Sequence, residues 1–66
     1  MSSTQYEGYD ICVVEHSARF IPRVTRPGAL IEHDGTRAQA WSGVPRLSYA
    51  RALETAMTAI DTRQIR

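Results

Sequence analysis

The sequence predicts an α+β fold: a three- or four-stranded antiparallel sheet packed on one C-terminal α-helix, in a βββα-like arrangement. Two observations carry this expectation. Across residues 48–60, Tyr49, Leu53, Ala56 and Ile60 recur at helical spacing and draw one apolar stripe. Across residues 9–41 the chain shows short β-branched runs broken by Pro27-Gly28 and Asp34-Gly35, the rhythm of strands and turns. A chain of 66 residues allows one small domain. Residues 1–5 are polar and terminal and are expected to be disordered, 9–41 to form the sheet and 48–63 the helix.

Residues 9–15 form the first expected strand. Alternation places Tyr9, Ile11 and Val13 on one face and Asp10, Cys12 and Val14 on the other. His16-Ser17-Ala18 reads as a turn. Residues 19–26 form the second strand, with Phe20 and Val24 on one face and Arg19, Ile21, Arg23 and Thr25 on the other. Pro22 has no N–H for a ladder, so it belongs at an edge or a bulge, and a central position for this strand favours the bulge. Residues 29–33 resume strand character. Asp34-Gly35 tolerates the positive φ angles of a hairpin turn. Residues 36–41 return with Ala38 and Ala40 on one face and Arg37, Gln39 and Trp41 on the other. Segments 29–33 and 36–41 read equally as two strands or as one interrupted strand.

A loop over 42–46 leads to the helix. Leu47 is placed to act as a hydrophobic staple and Ser48 as the N-cap. Glu54 in the first half and Arg63 near the end stand in the order that the helix dipole favours.

Small size limits what can hold such a chain together. It buries only about 60% of its unfolded surface, and a core of this size supplies roughly 3–5 kcal/mol. Cys12 is the single cysteine, so no internal disulfide can form, and no paired Cys/His set suggests structural zinc. Self-association is the remaining support, and a homodimer is expected. With no apolar run near about 18 residues and no basic-plus-apolar leader, the chain reads as a soluble cytoplasmic protein without membrane contact, which a lone thiol fits. The net charge of +1 exerts little pull on nucleic acid or membrane. All eight basic residues are Arg. Arginine offers a planar fork to carboxylate and phosphate where lysine offers a point charge, although a GC-rich coding bias produces the same composition.

Few residues invite chemistry. Glu15-His16 and Glu32-His33-Asp34 could share a divalent metal if two strand ends met, but polar turns hold the same residues without one. Cys12 has no base or cation beside it in sequence and reads as a core thiol. Ser17, Ser42 and Ser48 suit turns or caps, and Gly28, Gly35 and Gly43 are isolated turn glycines rather than a phosphate loop. The expectation is a non-enzymatic protein with no catalytic residue, no metal and no cofactor.

Taken together, Tyr6, Gly8, Tyr9 and Ile11, then Gly28, Pro45, Ser48, Ala52, Leu53, Ala56, Ile60 and Asp61, resemble the pattern of a group of short uncharacterised proteobacterial proteins. Those proteins open on Tyr-x-Gly-Tyr-x-Ile and close on an Ala/Leu helix ending Ile-Asp. The resemblance implies strands followed by a C-terminal helix and implies no activity. The Asp34-Gly35 hairpin departs from it.

One helix can cover only one face of a sheet. The face bearing Ile11, Val13, Phe20 and Val24 is expected to take it. The other face then collects a candidate contact surface of Val14, Arg19, Ile21, Arg23, Arg37, Gln39 and Trp41. The favoured reading is a small protein–protein interaction or regulatory module that self-associates, or binds another protein, through this face, with Trp41, Ile21 and Val14 at its centre and Arg at its rim. The alternative is a nucleic-acid-binding module that uses the same Arg forks and the Trp plane, by architectural analogy with the plant ethylene-response and integrase arm-binding domains. A third reading turns Trp41 inward at a bulge, where it completes the core.

Overall fold

The computed structural model describes residues 3–66. In chain order the elements are β1 (Thr4–Tyr6), β2 (Tyr9–His16), β3 (Arg19–Thr25), β4 (Ile31–His33), β5 (Thr36–Ala38), β6 (Ala40–Ser42) and α1 (Tyr49–Asp61). A four-stranded sheet runs in the order β1-β2-β3-β6, and β4-β5 forms a separate two-stranded sheet. All pairings are antiparallel, and α1 packs across β2 and β3. The fold is α+β.

Two-residue turns close the hairpins. Glu7-Gly8 (φ 52° and 84°), Ser17-Ala18 (52° and 61°) and Asp34-Gly35 (53° and 78°) all hold positive φ at both positions, the type I′ geometry whose twist matches the flanking strands. Only Asp34-Gly35 announces itself by composition. The Glu7-Gly8 turn corrects the expectation of a disordered start, because it folds Thr4 and Gln5 back onto Ile11 and Asp10. Met1 and Ser2 lie outside the described residues. Pro27-Gly28 makes a different turn: the Ala29 N–H donates to the Arg26 carbonyl at 3.1 Å and Gly28 has φ 72°, as a type II turn with proline then glycine requires.

Segments 29–33 and 36–41 are not one interrupted strand: they pair as a two-stranded hairpin, and the second segment splits to supply a further strand to the main sheet. The chain forms the β4–β5 hairpin, bends at Gln39, and returns to the main sheet as β6 beside β3. The bend breaks the two-residue alternation. It sets Trp41 opposite Val24, and the indole packs against the core. The expected outward placement of Trp41 is therefore corrected. Pro22 is buried opposite Val13. Between the pairs Arg23–Ser42 and Phe20–Arg46, β3 contributes Ile21 and Pro22, while its neighbour contributes Gly43, Val44 and Pro45. The extra residue is a bulge, and it lies where Pro22 has no N–H to give. The Pro22 carbonyl still accepts from the Gly43 N–H at 2.9 Å.

The helix begins as expected, with the Ser48 hydroxyl accepting from the Arg51 N–H at 3.1 Å. Its buried residues are Ala52, Ala56, Ala59 and Ile60. Leu53 is half-buried at the flank with Met57, and Tyr49 is exposed, so the buried stripe is rotated from the one the larger residues suggested. Alanine side chains let a helix axis approach a sheet closely, and longer neighbours then wedge in from the sides. Leu47 is 74% exposed and makes no staple. Neither Glu54 nor Arg63 lies in a terminal turn.

The helix ends in a Schellman motif. Gln64 N–H donates to the Ala59 carbonyl at 2.9 Å and Arg63 N–H to the Ile60 carbonyl at 3.2 Å, with Arg63 in the left-handed region at φ 59°. The reversed chain then pairs with β4. Glu32 and Arg66 exchange two backbone hydrogen bonds, at 2.7 and 2.9 Å, and Ile65 is buried. The core joins Ile11, Val24, Ile31, Ala56, Ala59, Ile60 and Ile65.

Gly43 is a packing glycine rather than a turn glycine. A Cβ there would stand 2.8 Å from Trp41 Cη2 and 2.9 Å from Pro22 Cγ. Gly43→Ala is expected to lower stability by about 1–3 kcal/mol through overpacking, read as an earlier midpoint in urea; an unchanged midpoint would show that the indole has room to move. Arg63→Gly is expected to do the opposite. It relieves a left-handed conformation worth about 1 kcal/mol for a residue with a side chain, and thermal unfolding should shift upward.

Candidate functional site

Three pairs directly opposed across β2 and β3 are Cys12–Arg23, Val14–Ile21 and His16–Arg19. Opposed residues share a face, and the neighbouring pair Ile11–Val24 faces the core. These three pairs therefore lie on the side without the helix. Val14 is 42% exposed, Ile21 and Cys12 are half-buried, and Arg19, Arg23 and His16 are exposed.

Of the expected contact surface, the structure brings together Val14, Arg19, Ile21 and Arg23. Arg37 lies on β5 in the separate hairpin, with its Nε 3.8 Å from Glu32 Oε2. Gln39 sits at the bend. Trp41 is on the opposite side of the sheet. The open face is thus a Val14–Ile21 apolar pair flanked by guanidinium groups. Asp10, opposed to Thr25, shares this face by register. His16 also joins it, although it reads as a turn residue in the sequence, because β2 continues to the Ser17-Ala18 turn. Without Trp41 the face offers no large aromatic plane for a base to stack on.

On the helix side, at the end of the sheet where β2 begins and β3 ends, lies a cleft of about 420 Å³. Tyr9, Ile60 and Ile65 supply its apolar lining, and Arg26, Arg63 and Arg66 its basic rim, beside Glu7 and Asp61. The Arg26 guanidinium stands over the Tyr9 ring, 5.6 Å from its centroid, a cation–π contact that steadies it. A neighbouring cleft of about 360 Å³ shares Arg26 and Arg66 and adds Arg37, Glu32 and Leu30. A third, smaller hollow of about 170 Å³ lies between the sheets against Ile31, Ala38 and Trp41, where the His33 and Trp41 rings are 6.1 Å apart.

Among the described residues, no three His, Cys, Asp or Glu side chains gather as a metal would require. Glu15-His16 ends β2 and Glu32-His33 ends β4 in the other sheet. No helix among the described residues is long and apolar enough to cross a membrane. No protein-family model, curated protein or solved structure matches the chain, so no activity passes to it from a relative.

One side-chain bond ties the first strand to the end of the helix: the Tyr6 hydroxyl donates to Asp61 Oδ1 at 2.7 Å. This bond, then partial desolvation and the nearby negative charges of Asp61 and Glu7, raise the Tyr6 pKa above the ordinary 10.0. The folded state holds the proton more tightly than the unfolded state. The contribution is therefore complete below the ordinary tyrosine pKa and is lost as pH rises through the raised one. Tyr6→Phe should be less stable at neutral pH and should lose less stability on alkaline titration than the parent, as followed by urea midpoints across that range.

Proposed function

We propose that this chain is a small non-enzymatic protein–protein interaction or regulatory module that self-associates through the helix-free face of its sheet. The observation that carries the reading is the Val14–Ile21 pair, left at the surface on a side that α1 does not cover. Apolar side chains left partly in water on an uncovered sheet face gain by meeting another surface. In a twofold dimer the same patch meets itself. Val14 and Ile21 would supply the dry centre, and Arg19 and Arg23 the polar rim. Asp10 on the same face offers the opposite charge that two basic rims need to pair rather than repel. A domain with so small a core also gains stability from association in proportion to concentration. The half-exposed Cys12 thiol on this face fits a reducing, cytoplasmic setting.

Light scattering coupled to size exclusion tests the reading. The parent chain is expected to run as a dimer and Ile21→Glu as a monomer with a lower melting temperature. A parent chain that is monomeric at every concentration would overturn self-association. Salt-sensitive binding of that monomer to DNA or RNA, weakened by Arg23→Ala, would favour the nucleic-acid alternative instead.

A further inference from the structure

We infer that the basic cleft on the helix side is a binding site for a small organic phosphate. The fold assembles it from distant parts of the sequence. Arg26 comes from the Pro27-Gly28 turn at the end of β3, and Arg63 and Arg66 come from the reversal after the helix.

Three features distinguish the cleft from an ordinary solvated surface. First, its guanidinium groups are available. The ion pair among the described residues is Arg37 with Glu32, and Arg26, Arg63 and Arg66 have none. Two carboxylates, Glu7 and Asp61, share the rim, so the arginines outnumber the acids three to two, and one Asp61 oxygen is already taken by the Tyr6 hydroxyl. Second, the arginines are held in place. Arg26 lies over Tyr9, and the Arg66 backbone is bonded both ways to Glu32. The Arg63 backbone is fixed by the helix-end reversal, where its N–H donates to the Ile60 carbonyl at 3.2 Å. Third, the lining is mixed: guanidinium forks match phosphate oxygens two at a time, while the half-buried Tyr9 ring offers apolar surface to the organic part of the same molecule, with Ile60 and Ile65 buried behind it. Its volume of about 420 Å³ suits a small ligand. The cleft opens on the helix side, away from Val14 and Ile21, so it works in a monomer or a dimer alike.

Phenyl phosphate, inorganic phosphate and benzyl alcohol, titrated separately into the ¹⁵N-labelled chain at constant ionic strength, test the site. Phenyl phosphate is expected to give saturable shifts at the side-chain Nε of Arg26, Arg63 and Arg66 and to raise the melting temperature. Inorganic phosphate should bind the same groups more weakly, and benzyl alcohol should give no saturable shift there. Arg26→Gln with Arg66→Gln should weaken phenyl phosphate by at least about tenfold, the scale of one lost charge-assisted hydrogen bond, while Arg19→Gln with Arg23→Gln should leave it unchanged. Shifts that grow linearly and equally at Arg19, Arg23 and the cleft arginines would reduce the effect to charge screening and overturn the site. Equal affinity for inorganic and phenyl phosphate would overturn the organic part of the assignment.

Discussion

The contact between Ile11 and Val24 and the alanine row of α1 is the constraint on which the rest of the structure depends. Ile11 and Val24 oppose each other across β2 and β3, and both are fully buried. Ala56 and Ala59 meet them in the same core. With methyl groups at the interface, the helix lies close to the sheet, and the space beside it must be filled from elsewhere. Ile31, Ile65 and Trp41 fill it, each from a segment that joins the core late in the chain. Apolar burial is worth roughly 25 cal/mol per Å², so a domain with so few buried side chains relies on every one of them.

This demand explains the turns. Among the described residues, five other than glycine hold positive φ: Glu7, Ser17, Ala18, Asp34 and Arg63. Each one reverses the chain sharply and brings a strand or the C-terminal segment back to the core. The cost of a left-handed residue is about 1–2 kcal/mol, and it is tolerated because short reversals waste no chain on loops. The bulge opposite Pro22 serves the same end. It lets the chain leave β6 without a missing hydrogen bond, and the bare Cα of Gly43 leaves the space that Trp41 and Pro22 share.

The two sides of the sheet have different chemistry for the same reason. All the covering elements lie on one side, so the other keeps a short apolar pair and its arginines in solvent. At the edge of the covered side, the reversal after α1 and the turn after β3 bring three more arginines around the half-buried Tyr9. A chain whose only basic residue is arginine therefore presents two separate basic surfaces, distinguished by whether an aromatic ring stands behind the guanidinium group.

Local patterning determined much by itself: the helix and its Ser48 cap, the alternation along β2 and β3, and the Pro27-Gly28 and Asp34-Gly35 turns. These depend on residues a few positions apart, and so they are legible in the chain. The open-face set of Val14, Arg19, Ile21 and Arg23 was legible too, because two continuous strands carry it. The start of the sheet was not, since Glu7-Gly8 is a weak turn signal and Thr4 gains its partner only through register. Tertiary structure alone decided the side on which Trp41 lies, because a bend at Gln39 resets a two-residue period that sequence can only extrapolate. It also decided the burial of Ile65 and the gathering of Arg26, Arg63 and Arg66. Those residues meet through a helix reversal and a pairing with β4, and no local pattern encodes a contact made across most of the chain.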